Sequence, residues 1–244
     1  MPYAEDVKVE PLRPLLPGGL MESSGVTLIT GRQGDGKGLT GAWQVRMLAR
    51  AGFTVAILDF EQQESEWIER MGEIPQRTVS YHPIALDILS SASMIEDEIF
   101  ATYSPTIVVL DSASMLRPDI KGITDQGAVR KVFQVIQGWG KPCLILAHVA
   151  KDDVGKPDAT AVGSFMWMAY PRLAWNIVPV RSDPIETVVQ LRCTKANRRS
   201  RLDTVELAWD WRNGEVQRRV IASEQSKATK LDGSKRIQST QVGR

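Results

Sequence analysis

Short apolar runs alternate with amphipathic segments through about the first 150 residues of the chain. The apolar runs are typical of strands that are buried on both faces, and they are Val26–Thr30, Phe53–Phe60, Thr106–Leu110 and Cys143–Val149. Apolar residues at helical spacing predict helices over Leu39–Ala51, Glu64–Met71, Ala92–Thr102 and Asp125–Trp139. A loop is expected around Tyr81–Pro83. This alternation predicts an α/β fold with a mainly parallel sheet between two layers of helices.

The pattern changes in the last third of the chain. Three predicted strands follow one another without long helices between them, and they are Arg172–Val180, Thr187–Cys193 and Thr204–Trp211. Asn213-Gly214 is typical of a tight hairpin turn. We therefore expect antiparallel strands at the C-terminal edge of the sheet. The predicted organisation is an N-terminal arm over 1–24, one core domain over 25–222, and a basic, flexible tail over 223–244.

A glycine-rich segment follows the first predicted strand and opens the first predicted helix. Its sequence, Gly31-Arg32-Gln33-Gly34-Asp35-Gly36-Lys37-Gly38, matches the G-x-x-x-x-G-K pattern of a phosphate-binding loop, or P-loop. Glycines let backbone N–H groups point at a phosphate, and the helix N-terminus adds partial positive charge. Lys37 is expected to reach the β- and γ-phosphates of ATP. The predicted nucleotide-binding residues are Gly31, Gly34, Asp35, Gly36, Lys37, Gly38 and Leu39.

One position of this loop departs from the pattern. The residue after the lysine is normally Ser or Thr, whose hydroxyl holds Mg²⁺, but here it is Gly38. Thr40 lies two residues later, and on a helix its side chain points in a different direction. Two interpretations stay open: the metal rests on water and on acidic residues nearby, or hydrolysis of the nucleotide is slow.

Two of the predicted strands end in acidic residues. Asp111 follows the run Thr106–Leu110 and matches a Walker B aspartate, which positions Mg²⁺ directly or through water. The second strand ends in Asp59 and Glu61, and Asp59 is predicted as a further metal ligand. A carboxylate at this strand end can polarise the water that attacks the γ-phosphate. The alternative is an acid that only stabilises the N-terminus of the following helix.

The order of P-loop, glutamate after the second strand and aspartate after the third resembles the RecA-like ATPases. Within them, the chain resembles the core of hexameric replicative helicases of the RepA and DnaB type, as in phage or plasmid replication and recombination. This resemblance implies a RecA-like fold and Glu61 as catalytic base. It also implies His148, at the end of the fourth strand, as a sensor that couples the γ-phosphate to DNA. ATP and Mg²⁺ are the implied cofactors.

The resemblance also implies contacts made between subunits and with DNA. Lys195 and Arg198 correspond to the Lys-x-Arg segment that supplies cationic fingers to a neighbouring subunit, although the spacing is one residue longer here and Arg199 is the alternative to Arg198. Two loops would contact single-stranded or branched DNA, with Arg117 and Lys121 in the first and Lys151 and Lys156 in the second. The implied working form is a homo-oligomeric ring or filament.

Charge is unevenly distributed along the chain. From Arg192 to Arg244 there are 13 Lys and Arg residues against 6 Asp and Glu residues, whereas the rest of the chain is net acidic. A basic C-terminal part favours a polyanionic partner, or it is a solvated tail. Cys143 and Cys193 lie in apolar or strand-like segments and are predicted to be reduced thiols. The N-terminus has no secretory pattern and no apolar run could span a bilayer, so we expect a cytoplasmic protein without a membrane partner.

Three functions are consistent with these motifs. The leading hypothesis is a DNA-dependent ATPase that acts as a helicase or strand-handling motor. The second is a metal-dependent nuclease for branched or single-stranded DNA, in which Asp59, Glu61 and Asp111 hold two cations. The third is an ATP-regulated DNA-binding or loader protein without efficient hydrolysis, for which Gly38 is again the relevant feature.

Overall fold

The computed structural model describes residues 14–16, 19–113, 126–149, 166–197 and 202–221. The strands of this part of the chain form one sheet, and they are β1 (Val26–Gly31), β2 (Val55–Asp59), β3 (Val79–Pro83), β4 (Ile107–Asp111), β5 (Cys143–His148), β6 (Leu173–Ser182), β7 (Glu186–Ala196), β8 (Thr204–Asp210) and β9 (Glu215–Ile221). The helices are α1 (Lys37–Arg50), α2 (Glu64–Met71), α3 (Ile88–Met94), α4 (Ala101–Tyr103), α5 (Gln126–Gly138) and α6 (Met166–Ala169). A π-helical stretch, Ile95–Phe100, joins α3 to α4.

The sheet has the strand order β3-β2-β4-β5-β1-β6-β7-β8-β9. The six strands from β3 to β6 are mutually parallel, and β7, β8 and β9 extend the sheet with antiparallel pairs. The predicted mixed α/β class, with a mainly parallel sheet and antiparallel strands at its C-terminal edge, is confirmed. Because parallel strands all end at one edge, the loops that follow β1, β2, β4 and β5 meet there.

Two apolar clusters cover the two faces of the sheet. On one face, α1 and α2 contribute Trp43 and Trp67. On the other face, α3, the π-helical stretch and α5 contribute side chains that include Ile88, Ile95 and Phe133. Every residue of β1, β2 and β4 is buried, as expected for strands between two helical layers. In β8, buried and half-buried residues alternate instead, which is typical of a strand with one covered face.

The described part of the segment before β1 packs against the first cluster. Leu16, Leu20 and Met21 are buried there. The indole N–H of Trp175, a fully buried residue of β6, donates a hydrogen bond to the backbone carbonyl of Leu20 at 3.2 Å. These contacts fix the approach of the chain to β1. The predicted tail over 223–244 lies outside the described residues.

Two details of the predicted secondary structure were wrong. The segment around Tyr81–Pro83 is not a loop, because Val79–Pro83 forms the edge strand β3 beside β2. Its residues are mostly half-buried and polar, so no apolar run marks it. The third helix begins at Ile88 rather than at Ala92, since the Asp87 carboxylate caps it by accepting hydrogen bonds from the N–H groups of Leu89 and Ser90. In the described part of the chain, no helix is long and apolar enough to cross a membrane.

Candidate functional site

An open cleft of about 650 Å³ lies at the carboxyl edge of the parallel strands. The loop after β1 forms its floor, and residues after β2 and at the ends of β4 and β5 form one wall. The opposite side is formed from the antiparallel part of the sheet, by Ser182, Thr187 and Trp211. The cleft therefore combines elements from both ends of the sheet.

The predicted P-loop joins β1 directly to α1. Gly34 and Gly36 have φ values of 84° and 91°, a backbone conformation that favours glycine. The Arg32 N–H donates a 2.8 Å hydrogen bond to the carboxylate of Asp35, which fixes the turn. Helix α1 starts at Lys37 and has no acidic residue in its first turn. Its N-terminal N–H groups and partial positive charge are thus available to an anion in the cleft.

Lys37 is buried beside the loop that it belongs to. Its ammonium group donates a 2.7 Å hydrogen bond to the backbone carbonyl of Arg32, and it lies 3.3 Å from Nδ1 of His148. Burial lowers the pKa of Lys37, and the nearby carboxylates of Asp111, Asp35 and Glu61 oppose this effect. Its one assigned hydrogen bond is thus to a neutral backbone carbonyl, which a phosphate oxygen can replace.

Glu61, His148 and Ser112 form a connected group beside the lysine. The Ser112 hydroxyl donates a 2.6 Å hydrogen bond to Oε1 of Glu61, and Nε2 of His148 lies 3.6 Å from the same oxygen. The imidazole of His148, more than the Ser112 hydroxyl, lowers the pKa of Glu61. Since His148 faces Lys37 through Nδ1 and Glu61 through Nε2, it links the P-loop lysine to the predicted base. The structure therefore places three predicted site residues side by side.

Asp111 ends β4 and lines the cleft, with an exposed fraction of 9%. Burial raises the pKa of Asp111 to about 7, and the charges of Glu61 and Asp59 add to this effect. A cation or a hydrogen-bond donor that entered the cleft would stabilise its ionised form.

Asp59 is fully buried, and its carboxylate is engaged by four donors. Oδ1 accepts hydrogen bonds from the N–H groups of Glu61 and Gln62 at 2.7 and 3.0 Å. Oδ2 accepts from the N–H of Gln63 at 2.8 Å and from the Tyr81 hydroxyl at 2.7 Å. The carboxylate thereby shapes the turn that carries Glu61. These contacts use the lone pairs that a metal ion would need. The role of Asp59 as a metal ligand stays a prediction.

Within the described ranges, no three His, Cys, Asp or Glu side chains are grouped so that they could hold a metal ion. The cleft fits the phosphates of a nucleotide, given its glycine turn, helix N-terminus and lysine. Among the predicted metal residues, Asp111 faces the cleft, whereas the Asp59 carboxylate is engaged by four donors and Gly38 has no hydroxyl. Mg²⁺ accordingly stays a prediction from the resemblance.

Several residues of the cleft are missing from the sequence prediction, and they include Arg70, Glu66, Thr187 and Trp211. Arg70, near the end of α2, lies against Gly38 and pairs with Glu66. Trp211 is 47% exposed at the mouth of the cleft, and its indole N–H donates to the Thr187 hydroxyl at 3.0 Å. The sequence predicted α2 and a strand that ends at Trp211, but no motif connects these residues with the P-loop.

Lys195 is separated from the cleft within one chain. Its ammonium group donates to the backbone carbonyls of Met168 and Ala169 at 2.7 and 2.6 Å, at the end of α6. Because β7 runs antiparallel to β6, and β6 parallel to β1, the carboxyl end of β7 lies toward the edge opposite the P-loop. A contact with ATP therefore requires a second copy of the chain and stays a prediction. The remaining predicted residues, Arg198, Arg117, Lys121, Lys151 and Lys156, lie outside the described residues.

No protein-family model matches the chain, and no curated protein is significantly similar to it. The geometry of the cleft and the sequence motifs therefore carry the functional conclusion.

Proposed function

We propose that this chain is a P-loop ATPase that hydrolyses ATP in the cleft at the carboxyl ends of β1, β2, β4 and β5. The observation that carries the proposal is the contact of the P-loop lysine, Lys37, with His148, which in turn lies beside Glu61. Lys37 begins α1, Glu61 follows β2 and His148 ends β5, and each of them matches a role that the ATPase resemblance assigns. A glycine turn without these partners would support only phosphate binding.

The chemistry follows from the positions of these groups. Lys37 and the α1 N-terminus neutralise the phosphate chain and the charge that develops on the transferred phosphoryl group. Glu61 takes a proton from water while the water oxygen bonds to the γ-phosphorus, and the bond to the bridging oxygen breaks to release ADP. The lowered pKa of Glu61 keeps its carboxylate ionised at neutral pH, as a base must be. His148 responds to the same phosphate because it contacts the lysine.

We further propose that the fold is RecA-like and that the ATPase works on single-stranded or branched DNA as a homo-oligomer. The P-loop after β1, Glu61 after β2 and Asp111 at the end of β4 support the RecA-like assignment. The excess of basic residues from Arg192 onward supports a polyanionic partner. Fingers at Lys195 and Arg198 and DNA loops with Arg117, Lys121, Lys151 and Lys156 are parts of this proposal.

ATP turnover with Mg²⁺, with and without single-stranded and forked DNA, tests this proposal. Lys37→Ala and Glu61→Gln are each expected to lower turnover by about 100-fold or more, since they remove phosphate binding and the base. Glu61→Gln should still bind ATP. Glu69→Gln, which changes an exposed glutamate of α2, is the matched control and should behave like the unchanged chain. DNA that leaves turnover unchanged would refute the DNA-dependent part alone.

The second candidate is an ATP-regulated DNA-binding or loader protein without efficient hydrolysis. Gly38 favours it, because the residue that normally holds Mg²⁺ through a hydroxyl is missing. ATP binding that is lost in Lys37→Ala, with turnover below detection in every condition, would select this candidate. The nuclease hypothesis has less support, because the four hydrogen bonds of Asp59 reduce the carboxylates available for two cations.

A further inference from the structure

The guanidinium group of Arg70 occupies the space where the side chain of a serine or threonine would begin at position 38. A Cβ atom built on Gly38 would lie 2.5 Å from Nη1 of Arg70 and 3.4 Å from its Cζ. Atoms that are not bonded do not approach to 2.5 Å at such a contact. A hydroxyl-bearing side chain at position 38 and Arg70 in its present position therefore exclude each other.

Arg70 reaches this place from a neighbouring helix. It lies near the C-terminal end of α2, one helical turn after Glu66, and its Nη2 forms an ion pair with that carboxylate. Glu66 is its only hydrogen-bond partner among the residues that the structure describes. An arginine has five N–H donors, so the side of the guanidinium that faces Gly38 keeps donors for another acceptor. Both Arg70 and Gly38 line the cleft with Lys37.

Resting on the proposed function, we propose that Arg70 binds the phosphate chain of the nucleotide from the side where other P-loops place a hydroxyl-bound Mg²⁺. Gly38 is the residue that makes room for it. A guanidinium pairs with phosphate oxygens through two parallel hydrogen bonds and keeps its charge at any physiological pH. Together, Lys37 and Arg70 supply two positive charges to the triphosphate without a metal ion. The ligand class is thus a nucleoside triphosphate bound in a largely metal-independent manner.

Glu66 has a defined place in this arrangement. It holds Arg70 beside Gly38 through the ion pair. The pair is partly exposed, at 33% for Arg70 and 44% for Glu66, so it restrains the arginine only weakly. A phosphate with more charge than one carboxylate can therefore share the guanidinium or take it over.

The test is the dissociation constant of ATP for the whole 244-residue chain, measured by calorimetry in EDTA and in Mg²⁺. The unchanged chain should bind ATP with constants that agree within about threefold in the two buffers. Arg70→Met keeps the aliphatic stem and should weaken binding in EDTA by about tenfold or more, and by less in Mg²⁺. Gly38→Ser should also weaken binding in EDTA, because the serine displaces Arg70, while binding in Mg²⁺ is retained.

Arg50→Met is the matched control. Arg50 is an exposed arginine in the last turn of α1, and it does not line the cleft. It should bind ATP like the unchanged chain in both buffers. Thermal unfolding of each variant shows that it is folded before its affinity is compared.

The remaining outcomes separate this inference from the proposed function. If the unchanged chain binds ATP only in Mg²⁺, and Arg70→Met matches it in both buffers, the role of Arg70 is refuted while the ATPase proposal stands. If the unchanged chain binds no ATP in either buffer, the proposed function itself fails. Lys37→Ala should lose binding in both buffers, which shows that the ATP is bound at the P-loop.

Discussion

The ends of β2 and β4 lie side by side in the sheet, but the two aspartates there have opposite surroundings. Asp59 and Asp111 are direct partners in the register of the two strands. Asp59 is fully buried and its carboxylate accepts four hydrogen bonds. Asp111 lines the cleft, and its pKa is raised to about 7. Of two equivalent positions in neighbouring strands, one thus stabilises a turn and the other faces the cleft.

The difference arises in the chain that follows each aspartate. After Asp59, the backbone turns so that three successive N–H groups point back at the carboxylate. The neighbouring strand β3 adds the Tyr81 hydroxyl. Burial removes Asp111 from water, and the negative charges of Glu61 and Asp59 add to this effect, so the charged form of Asp111 is disfavoured. The environment of an aspartate at a strand end therefore depends on the following loop and on neighbouring side chains. Its position in the strand alone does not determine its role.

Asp59→Ala should give the largest effect on stability. It leaves three backbone N–H groups and the Tyr81 hydroxyl without their acceptor, so the free energy of unfolding should fall by about 3 kcal/mol or more. Urea denaturation measures this change. Asp97→Ala, at an exposed position of the π-helical stretch, is the matched control and should change stability by less than about 0.5 kcal/mol. Equal losses in both variants would show that the four hydrogen bonds contribute nothing.

Asp111→Asn should instead raise the free energy of unfolding, and the size of this gain should depend on pH. The pKa of Asp111 is raised in the folded chain from its ordinary value of 3.8 to about 7. The folded state therefore binds the proton more tightly than the unfolded state, and stability is lost as the pH rises through this window. The neutral amide removes the loss, so the nucleotide-free variant should be more stable than the unchanged chain at pH 8, by on the order of 1–3 kcal/mol.

Urea denaturation at pH 5 and pH 8 measures this effect, and the gain should be smaller at pH 5. Asp59→Asn provides the comparison, because it should lose stability at both pH values. A loss of stability at pH 8 in Asp111→Asn would contradict the assigned difference between the two strand ends.

Tyr81→Phe removes one of the four hydrogen-bond donors to the Asp59 carboxylate. Removal of its hydroxyl should lower the free energy of unfolding by about 1 kcal/mol, because three N–H donors remain. Tyr103→Phe is the matched control, since that tyrosine is 52% exposed and its ring lies edge-on to that of His82. If the two variants lose the same small amount of stability, the Tyr81 contact does not contribute to the Asp59 environment.

Tyr81 also illustrates which parts of the site were predictable from the sequence. Apolar runs indicated β1, β2, β4 and β5, because strands buried on both faces contain few polar residues. The P-loop pattern and the acids at the strand ends then placed Lys37, Glu61 and Asp111 at one edge. The edge strand β3 has a polar sequence without such a run, and it was predicted as a loop. Because β3 was not predicted, the Tyr81 hydroxyl, which donates to Asp59, was not predicted at the site either.

The contact of Arg70 with Gly38 was unpredictable for a different reason. It depends on how α2 packs against α1, which brings together two residues that are distant in the sequence. A missing hydroxyl is visible in the sequence, whereas the group that fills its place is visible only in three dimensions. The position of Trp211 in the cleft was unpredictable for the same reason, because it depends on the pairing of β7 with β8.

Ser112→Ala should have the smallest effect of these substitutions. It tests whether Ser112, the residue after β4, stabilises the ionised form of Glu61. The Ser112 hydroxyl donates to Glu61 and lowers the pKa of that carboxyl, but less than His148 does. Loss of the hydroxyl should raise the Glu61 pKa, so the acidic limb of the pH profile of ATP turnover should move to higher pH. His148→Asn should move it further in the same direction. At pH 8, where Glu61 is ionised in both chains, turnover of Ser112→Ala should stay within about threefold of the unchanged chain. An acidic limb that does not move, or that moves to lower pH, would show that Ser112 does not stabilise the ionised base.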